Sequence, residues 1–325
     1  MSSTPTYQDV LAAVEPVGRC LLPTLLYDWP LLEKRLGFRY FLKHENHQPT
    51  GAFKVRGGVH LVGKLSDEQR ERGIIGCTTG NHGQSLAFAA RRFGVRCVLV
   101  VPKGNNPGKN ASMRSLGAEL IEYGRDFDEA KEHCEALTRE HGYRYVHSAN
   151  EPDLIAGVGT MAVEIFEQIT PDVILVPIGL GSGVCGTALV AAARNPGTQV
   201  IGVQSTGASA VAESWRTGEM VVRPQVATLA EGLATRAPAE MTMDLMRQLM
   251  HDVVLVSDDE LLSATRWLLV ATHNLPEPAG AATTAAACKL RRSLIGKTVV
   301  GILSGGNCDM RLLPRALAAA EVPIE

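Results

Sequence analysis

Two hydrophobic periods alternate along this chain. Residues 1–37 carry apolar positions at helical spacing. Residues 38–43, Phe-Arg-Tyr-Phe-Leu-Lys, read as a strand rich in aromatic side chains. The turn residues Pro49, Thr50 and Gly51 end it, and residues 54–64 continue as a short helix. Short apolar strands are then expected at 73–78, 95–101, 118–123 and 143–147, with helices at 81–93, 110–116 and 126–141 between them. The run at 95–101 is continuously apolar, as in a parallel strand buried on both faces. A second series follows. A helix is led by Gly157, and strands are expected at 172–178, 199–204, 252–256 and 298–303, with helices at 183–194, 258–272 and 279–292. Residues 218–240 read as irregular, with Pro224 and Pro238. Strands alternating with helices predict an α/β protein of two blocks, each a mainly parallel sheet flanked by helices.

Composition narrows the classes. The 325 residues suffice for two domains, and 45% hydrophobic residues allow sizeable cores. A net charge of −2 without a basic run argues against nucleic acid as a partner. The seven cysteines are odd in number and scattered, with no Cys-x-x-Cys, which predicts free thiols in a reducing cytoplasm. No signal-peptide core is present, and no apolar run is long enough to span a bilayer.

Four stretches carry candidate chemistry. Lys54 stands where a strand hands over to a helix, beside Phe53. Shelter from water disfavours its ammonium, and a neutral amine is what a Schiff base requires. Thr78-Thr79-Gly80-Asn81-His82-Gly83 follows a strand and opens a helix, where outward-facing amides attract an anion such as a substrate carboxylate. Gly179-Leu180-Gly181-Ser182-Gly183 does the same after the strand at 172–178, and its bare backbone suits a phosphate. Gly181-x-Gly183-x-x-Gly186 also fits a dinucleotide fingerprint. That reading needs an acid after the next strand, and Ser205 stands there, so a monophosphate cup fits better. Leu303-Ser304-Gly305-Gly306-Asn307 closes the last strand.

Taken in this order, Ala52-Phe53-Lys54-Val55-Arg56-Gly57, the Thr-Gly-Asn-His-Gly loop, the glycine cup and Ser304 resemble the fold type II pyridoxal-phosphate enzymes, in the branch of threonine and serine dehydratases and serine racemase. The resemblance covers nearly the whole chain. It implies a large cofactor-binding domain of residues 1–46 plus 151–325, a small domain of residues 47–150, and a cofactor in the cleft between them. Lys54 would carry pyridoxal 5'-phosphate and act as catalytic base. Thr79, Gly80, Asn81 and His82 would hold the substrate carboxylate, with Thr79 also a catalytic candidate and Asn81 reaching the cofactor's phenolic oxygen. Phe53, Gly179, Leu180, Gly181, Ser182, Gly183, Glu277 and Ser304 would line the cofactor, with Ser304 at the pyridine nitrogen. Glu277 equally suits a cap on the alanine-rich helix that follows it.

The implied activity is α,β-elimination of a β-hydroxy amino acid, such as threonine, serine or a β-aryl serine, to a 2-keto acid and ammonia. The alternative on the same scaffold is a racemase or β-replacement synthase, with a nicotinamide-dependent oxidoreductase or a non-catalytic cofactor carrier behind it. A cytoplasmic homodimer acting on a small amino acid is implied. The chain stops after the catalytic part, so a feedback domain is not expected and a catabolic role is. Three departures bear on substrate choice: Ala52 where the family has serine, Thr79 in place of another serine, and Gly-Leu-Gly-Ser-Gly instead of consecutive glycines. Ala52 is expected to open the site slightly towards larger β-substituents. A divalent cation is possible but not supported: the segment Ala227-Thr228-Leu229-Ala230-Glu231-Gly232 keeps Glu231 and lacks a first acid, and His44 and His47 have no completing ligands.

Overall fold

The computed structural model describes residues 4–320. Ten strands follow one another in these residues: β1 (Leu26–Asp28), β2 (Arg39–His44), β3 (Ile74–Cys77), β4 (Cys97–Val101), β5 (Glu119–Glu122), β6 (Arg144–Tyr145), β7 (Val173–Pro177), β8 (Gln199–Ser205), β9 (Asp252–Val256) and β10 (Thr298–Leu303). They build a six-stranded sheet in the order β1-β2-β10-β7-β8-β9 and a four-stranded sheet in the order β5-β4-β3-β6. β1 is antiparallel to β2, and every other neighbouring pair is parallel. The fold is therefore α/β with two mainly parallel sheets, as the alternation of patterns predicts.

The chain divides into two compact units, Met1–Leu22 with Lys54–Val158, and Pro23–Phe53 with Gly159–Glu325. This grouping differs from the expected bounds. The Tyr7–Gly18 helix packs on the Lys54–Gly63 helix, which draws the N-terminal segment to the smaller unit. The boundary at Val158 falls inside the Pro152–Phe166 helix, and a helix interior carries no turn signal to read. Helices Pro30–Leu36 and Glu240–Leu249 add to the expected elements.

In the larger unit, Tyr40, Leu42, Leu175, Val299 and Leu303 share a buried cluster with alanines of the Pro278–Lys289 helix. The helix lies close to β10 at Gly301, where an added Cβ would meet Thr283 Oγ1 at 3.0 Å. In the smaller unit, Ile75, Cys77, Val98 and Val100 pack on Ala130 and Cys134 of the Phe127–His141 helix. Because the strands of each sheet run parallel, their carboxyl ends share one edge, where ligands of such sheets bind. In the larger unit that edge gathers the segment after β2, the glycines after β7 and Ser304 after β10. In the smaller unit it gathers the loops after β3 and β6.

A buried ion pair anchors the segment after β2. Lys43 is fully buried; its ammonium donates to the Thr24 carbonyl at 2.7 Å and pairs with the Glu164 carboxylate. The Thr24 hydroxyl donates to Glu45 at 2.6 Å, and Glu45 opens the 3-10 turn Glu45–His47. Replacing one partner of such a pair leaves the other charge in a poor solvent. Lys43→Met is expected to lower the stability of this unit by about 3–5 kcal/mol, read as a shift of its urea midpoint; an unchanged midpoint would show that the pair carries no such burden.

Candidate active site

Lys54 is the first residue of the Lys54–Gly63 helix and is half-buried. Its ammonium points to the Ser148 carbonyl at 3.4 Å, just beyond β6. Burial pushes its pKa down to about 8, which raises the share of free amine near neutrality. The helix is held on two sides. A Cβ at Gly57 would meet the Leu154 carbonyl at 2.6 Å, and one at Gly58 would strike Ser85. Ser85 in turn donates its hydroxyl to the Lys54 carbonyl at 2.6 Å. Neither Ser85 nor Ser148 stands out in the sequence, because both act on Lys54 through contacts far apart in the chain.

The loop after β3 ends at Asn81, the first residue of the Asn81–Phe93 helix. Thr79 and Asn81 are half-buried, and Gly80 is buried. Thr78, which the motif leaves without a role, organises the turn. Its hydroxyl accepts from the amides of Gly80 at 3.1 Å and Gly83 at 3.0 Å. The helix thus receives a side-chain cap from two residues before its N-cap. A threonine two residues ahead of the glycine is the signal that could have revealed it. The His82 side chain turns inward, with Nε2 3.3 Å from the Val146 carbonyl. Burial pushes its pKa down to about 3, so the ring is neutral. His82 therefore brings no positive charge to the loop; what it offers an anion is its backbone N–H.

In the larger unit, the segment around Ala52 lies along the turn after β10. Phe53 N–H donates to the Ser304 carbonyl at 3.1 Å, Gly306 N–H donates to the Gly51 carbonyl at 2.8 Å, and Ala52 bridges Gly305. Ala52 is fully buried, and a Cβ at Gly305 would lie 3.3 Å from its methyl group. The methyl group thus packs on the turn and opens no space, contrary to the expectation of a slightly wider site. The Phe53 ring lies against Gly183, where a Cβ would meet it at 3.3 Å.

The glycine cup follows β7. Gly181 has φ +100°, a conformation that favours glycine, and is the N-cap of the Ser182–Arg194 helix with no side-chain cap. A Cβ at Gly179 would meet the Gly232 carbonyl at 2.5 Å. Thr242 donates to the Leu180 carbonyl at 2.5 Å and Thr235 to the Gly179 carbonyl at 3.2 Å, which fixes the loop with its carbonyls engaged. Ser182 is buried as the first helical residue. Ser304 is buried, with its hydroxyl 3.5 Å from the Ala279 carbonyl. Glu277 occupies the N-cap position of the Pro278–Lys289 helix, but its side chain makes no capping bond; it is buried against Gly305. Of the two readings of Glu277, capping by its carboxylate is not what the geometry shows.

His44 and His47 stack at 4.9 Å. Trp29 donates to His44 Nε2 at 3.1 Å, and His47 Nε2 lies 2.6 Å from Asn274 Oδ1, so both rings are engaged in packing and hydrogen bonds. Among the described residues no group of three or more His, Cys, Asp or Glu side chains is gathered to hold a metal ion.

The family model of the pyridoxal-phosphate dependent enzymes matches residues 19–305. This chain belongs to that family. It is 34% identical to the L-threo-3-hydroxyaspartate ammonia-lyase of Saccharomyces cerevisiae over 318 residues, 98% of each chain. Among solved structures, the processed form of threonine deaminase isoform 2 from Solanum lycopersicum superposes with a TM-score of 0.92 at 30% identity, covering 97% of this chain and 87% of that one. Maize serine racemase superposes with a TM-score of 0.92 at 27% identity over 97% of each chain.

The family cofactor is pyridoxal phosphate, and the residues present suit it. Its aldehyde needs an amine with a lowered pKa, as Lys54 has. Its phosphate needs amide donors without a competing side-chain cap, as the Gly179–Ser182 turn provides. Its pyridine nitrogen suits a neutral hydroxyl such as Ser304.

The pKa of Lys54 is directly testable. Folded Lys54 gives up its proton near pH 8, whereas a solvated lysine holds it to about 10.4. In cofactor-free protein, trace acetylation of Lys54 is expected to rise through pH of about 8, below that of solvated lysines. Mass spectrometry of the peptide containing Lys54 reads this, and a midpoint at the solvated value would place the amine in water.

Proposed function

We propose that the protein is an ammonia-lyase that eliminates the β-hydroxyl of a β-hydroxy amino acid, giving a 2-keto acid and ammonia. The observation that carries this reading is the half-buried Lys54 amine with its pKa lowered to about 8. Similarity to the yeast 3-hydroxyaspartate ammonia-lyase and the tomato threonine deaminase supports the reaction class.

Each group has a defined task in this reading. Pyridoxal phosphate, when bound, supplies the electron sink that makes the Cα proton of the substrate acidic. Lys54 would hold the cofactor through its amine, and the same amine, when free, would serve as general base for the substrate Cα proton. The Thr79 hydroxyl and the amides of Gly80, Asn81 and His82 hold the carboxylate, which fixes the Cα–H bond towards Lys54. Asn81 would also hold the cofactor's phenolic oxygen. Gly179, Leu180, Gly181, Ser182 and Gly183 would take the phosphate on backbone N–H groups, and Phe53 and Glu277 would line the same cofactor. Ser304 would offer the pyridine nitrogen a neutral hydrogen bond and no proton, which suits loss of the β-hydroxyl. One water leaves in the elimination and one is taken up as the released enamine hydrolyses, so substrate and the sum of keto acid and ammonia balance. We place this enzyme in the cytoplasm as a homodimer; its seven cysteines are all free thiols, which suits a reducing compartment.

Purified protein is expected to be yellow and to release keto acid from threonine, serine or 3-hydroxyaspartate. Borohydride is expected to fix the cofactor on Lys54, and Lys54→Ala to abolish turnover. Label recovered on Lys43 or Lys64, or recovery of racemised substrate without keto acid, would sink the elimination reading. Ser304 offers a second check. Ser304→Ala is expected to retain cofactor while slowing elimination about 3–10-fold, the effect of one neutral hydrogen bond. Ser304→Asp is expected to divert flux towards transamination, measured as the product ratio; an unchanged ratio tells against Ser304 at the pyridine nitrogen.

A further inference from the structure

The glycine turn after β7 is gripped from one side by residues 232–246, which have no task in the reaction. A Cβ at Gly179 would meet the Gly232 carbonyl at 2.5 Å, and one at Gly181 would lie 3.1 Å from both Thr242 Cβ and Met246 Cε. Thr242 and Met246 stand one turn apart on the Glu240–Leu249 helix, and both are buried. The same stretch takes two carbonyls of the turn. The Thr242 hydroxyl donates to the Leu180 carbonyl at 2.5 Å, and the Thr235 hydroxyl donates to the Gly179 carbonyl at 3.2 Å. A hydroxyl has one proton to give, and Gln204 fixes where that of Thr235 goes. Gln204 is fully buried near the end of β8; its Oε1 accepts from the Ala212 N–H at 2.9 Å, and its Nε2 donates to Thr235 Oγ1 at 3.3 Å. The Thr235 proton is thereby left for Gly179.

A trans peptide is planar, so its C=O and the N–H that follows point in opposite directions. Holding the Gly179 and Leu180 carbonyls on Thr235 and Thr242 therefore turns the N–H groups of Leu180 and Gly181 away from that stretch. Neither amide donates to an acceptor among the described residues. Gly181 is buried, and a buried backbone N–H without an acceptor is rare.

We propose that Thr235 and Thr242 are positioning residues for the cofactor phosphate: they set the Leu180 and Gly181 amides as its donors, and Gln204 directs the Thr235 hydroxyl. The inference rests on the reading of residues 179–183 as the phosphate cup and adds what holds that cup in shape. A donor that is already aimed loses little freedom when its acceptor arrives, so a preset turn raises affinity without a contact of its own. The effect acts on the phosphate and leaves the ring and the aldehyde untouched, which gives it a signature that a general loss of stability lacks.

The test loads the full chain with pyridoxal phosphate or with pyridoxal, which keeps the ring and the aldehyde and lacks the phosphate. The dissociation constant of each is read by titration of the bound chromophore's absorbance. Wild type is expected to bind pyridoxal phosphate the more tightly. Thr242→Val keeps the shape of the side chain and removes its hydroxyl. It is expected to weaken pyridoxal phosphate roughly 3–10-fold, the effect of one neutral hydrogen bond, and to leave pyridoxal within about twofold. Thr235→Val is expected to behave alike, and Thr242→Ser, which keeps the hydroxyl, to stay close to wild type. Equal weakening of both ligands, no weakening of either, or a Thr242→Ser as weak as Thr242→Val would each overturn the assignment. Should Thr242→Val not fold, the half-buried Thr235 carries the same comparison. A wild type without preference for the phosphorylated ligand fails the cup reading and takes the proposal with it, whereas a wild type with that preference and unaffected variants fails the proposal alone. No turnover enters either titration, so the result stands apart from the elimination reading.

Discussion

A lysine amine serves as nucleophile and base only with its proton off, and shelter from water raises the share in that form near neutral pH. Lys54 meets that requirement at the point where the chain passes from one unit to the other, between Phe53 and Lys54. On the Lys54 side, Ser85 holds the first carbonyl of the helix, and close contacts at Gly57 and Gly58 fix the helix axis. On the Phe53 side, the peptide is tied to Ser304 and its neighbours to Gly305, Gly306 and Asn307.

Economy of charge follows from the same burial. An ionised group in a poor solvent must be matched, and the candidate residues in each unit are neutral donors. His82 is neutral, Ser304 is a hydroxyl, and the glycine cup offers amides. Thr78 fastens the amides of Gly80 and Gly83, so the turn is set before any ligand arrives. Lys43 with Glu164 shows the alternative solution, in which a fully buried ammonium is held for structure by a carboxylate and a carbonyl.

The architecture and the order of motifs were legible in the sequence because each signal is local. Parallel strands buried on both faces read as apolar runs, and the helices at Asn81–Phe93 and Asp258–Thr272 begin and end where their patterns do. Lys54, Asn81, Gly181 and Ser304 stand out because strand ends, turn glycines and helix starts occur together around them. Ala52 shows the limit. Beside the lysine in sequence, it reads as a wall of the site. In the fold it is a fully buried contact of the turn after β10, because an isolated bridge to Gly305 turns its methyl group there.

By itself, then, the sequence determined the α/β class, the family and the cofactor, and it offered Lys54 as the candidate carrier, since these rest on residues within a few positions of one another. Tertiary structure decided what depends on distant partners. It moved the N-terminal helix to the smaller unit through its packing on the Lys54–Gly63 helix. It gave Thr78 the capping role and left His82 uncharged. Hydrophobic period and turn chemistry are written along the chain, but burial, and with it the charge state of a lysine or a histidine, exists only once the sheets and helices have closed around it.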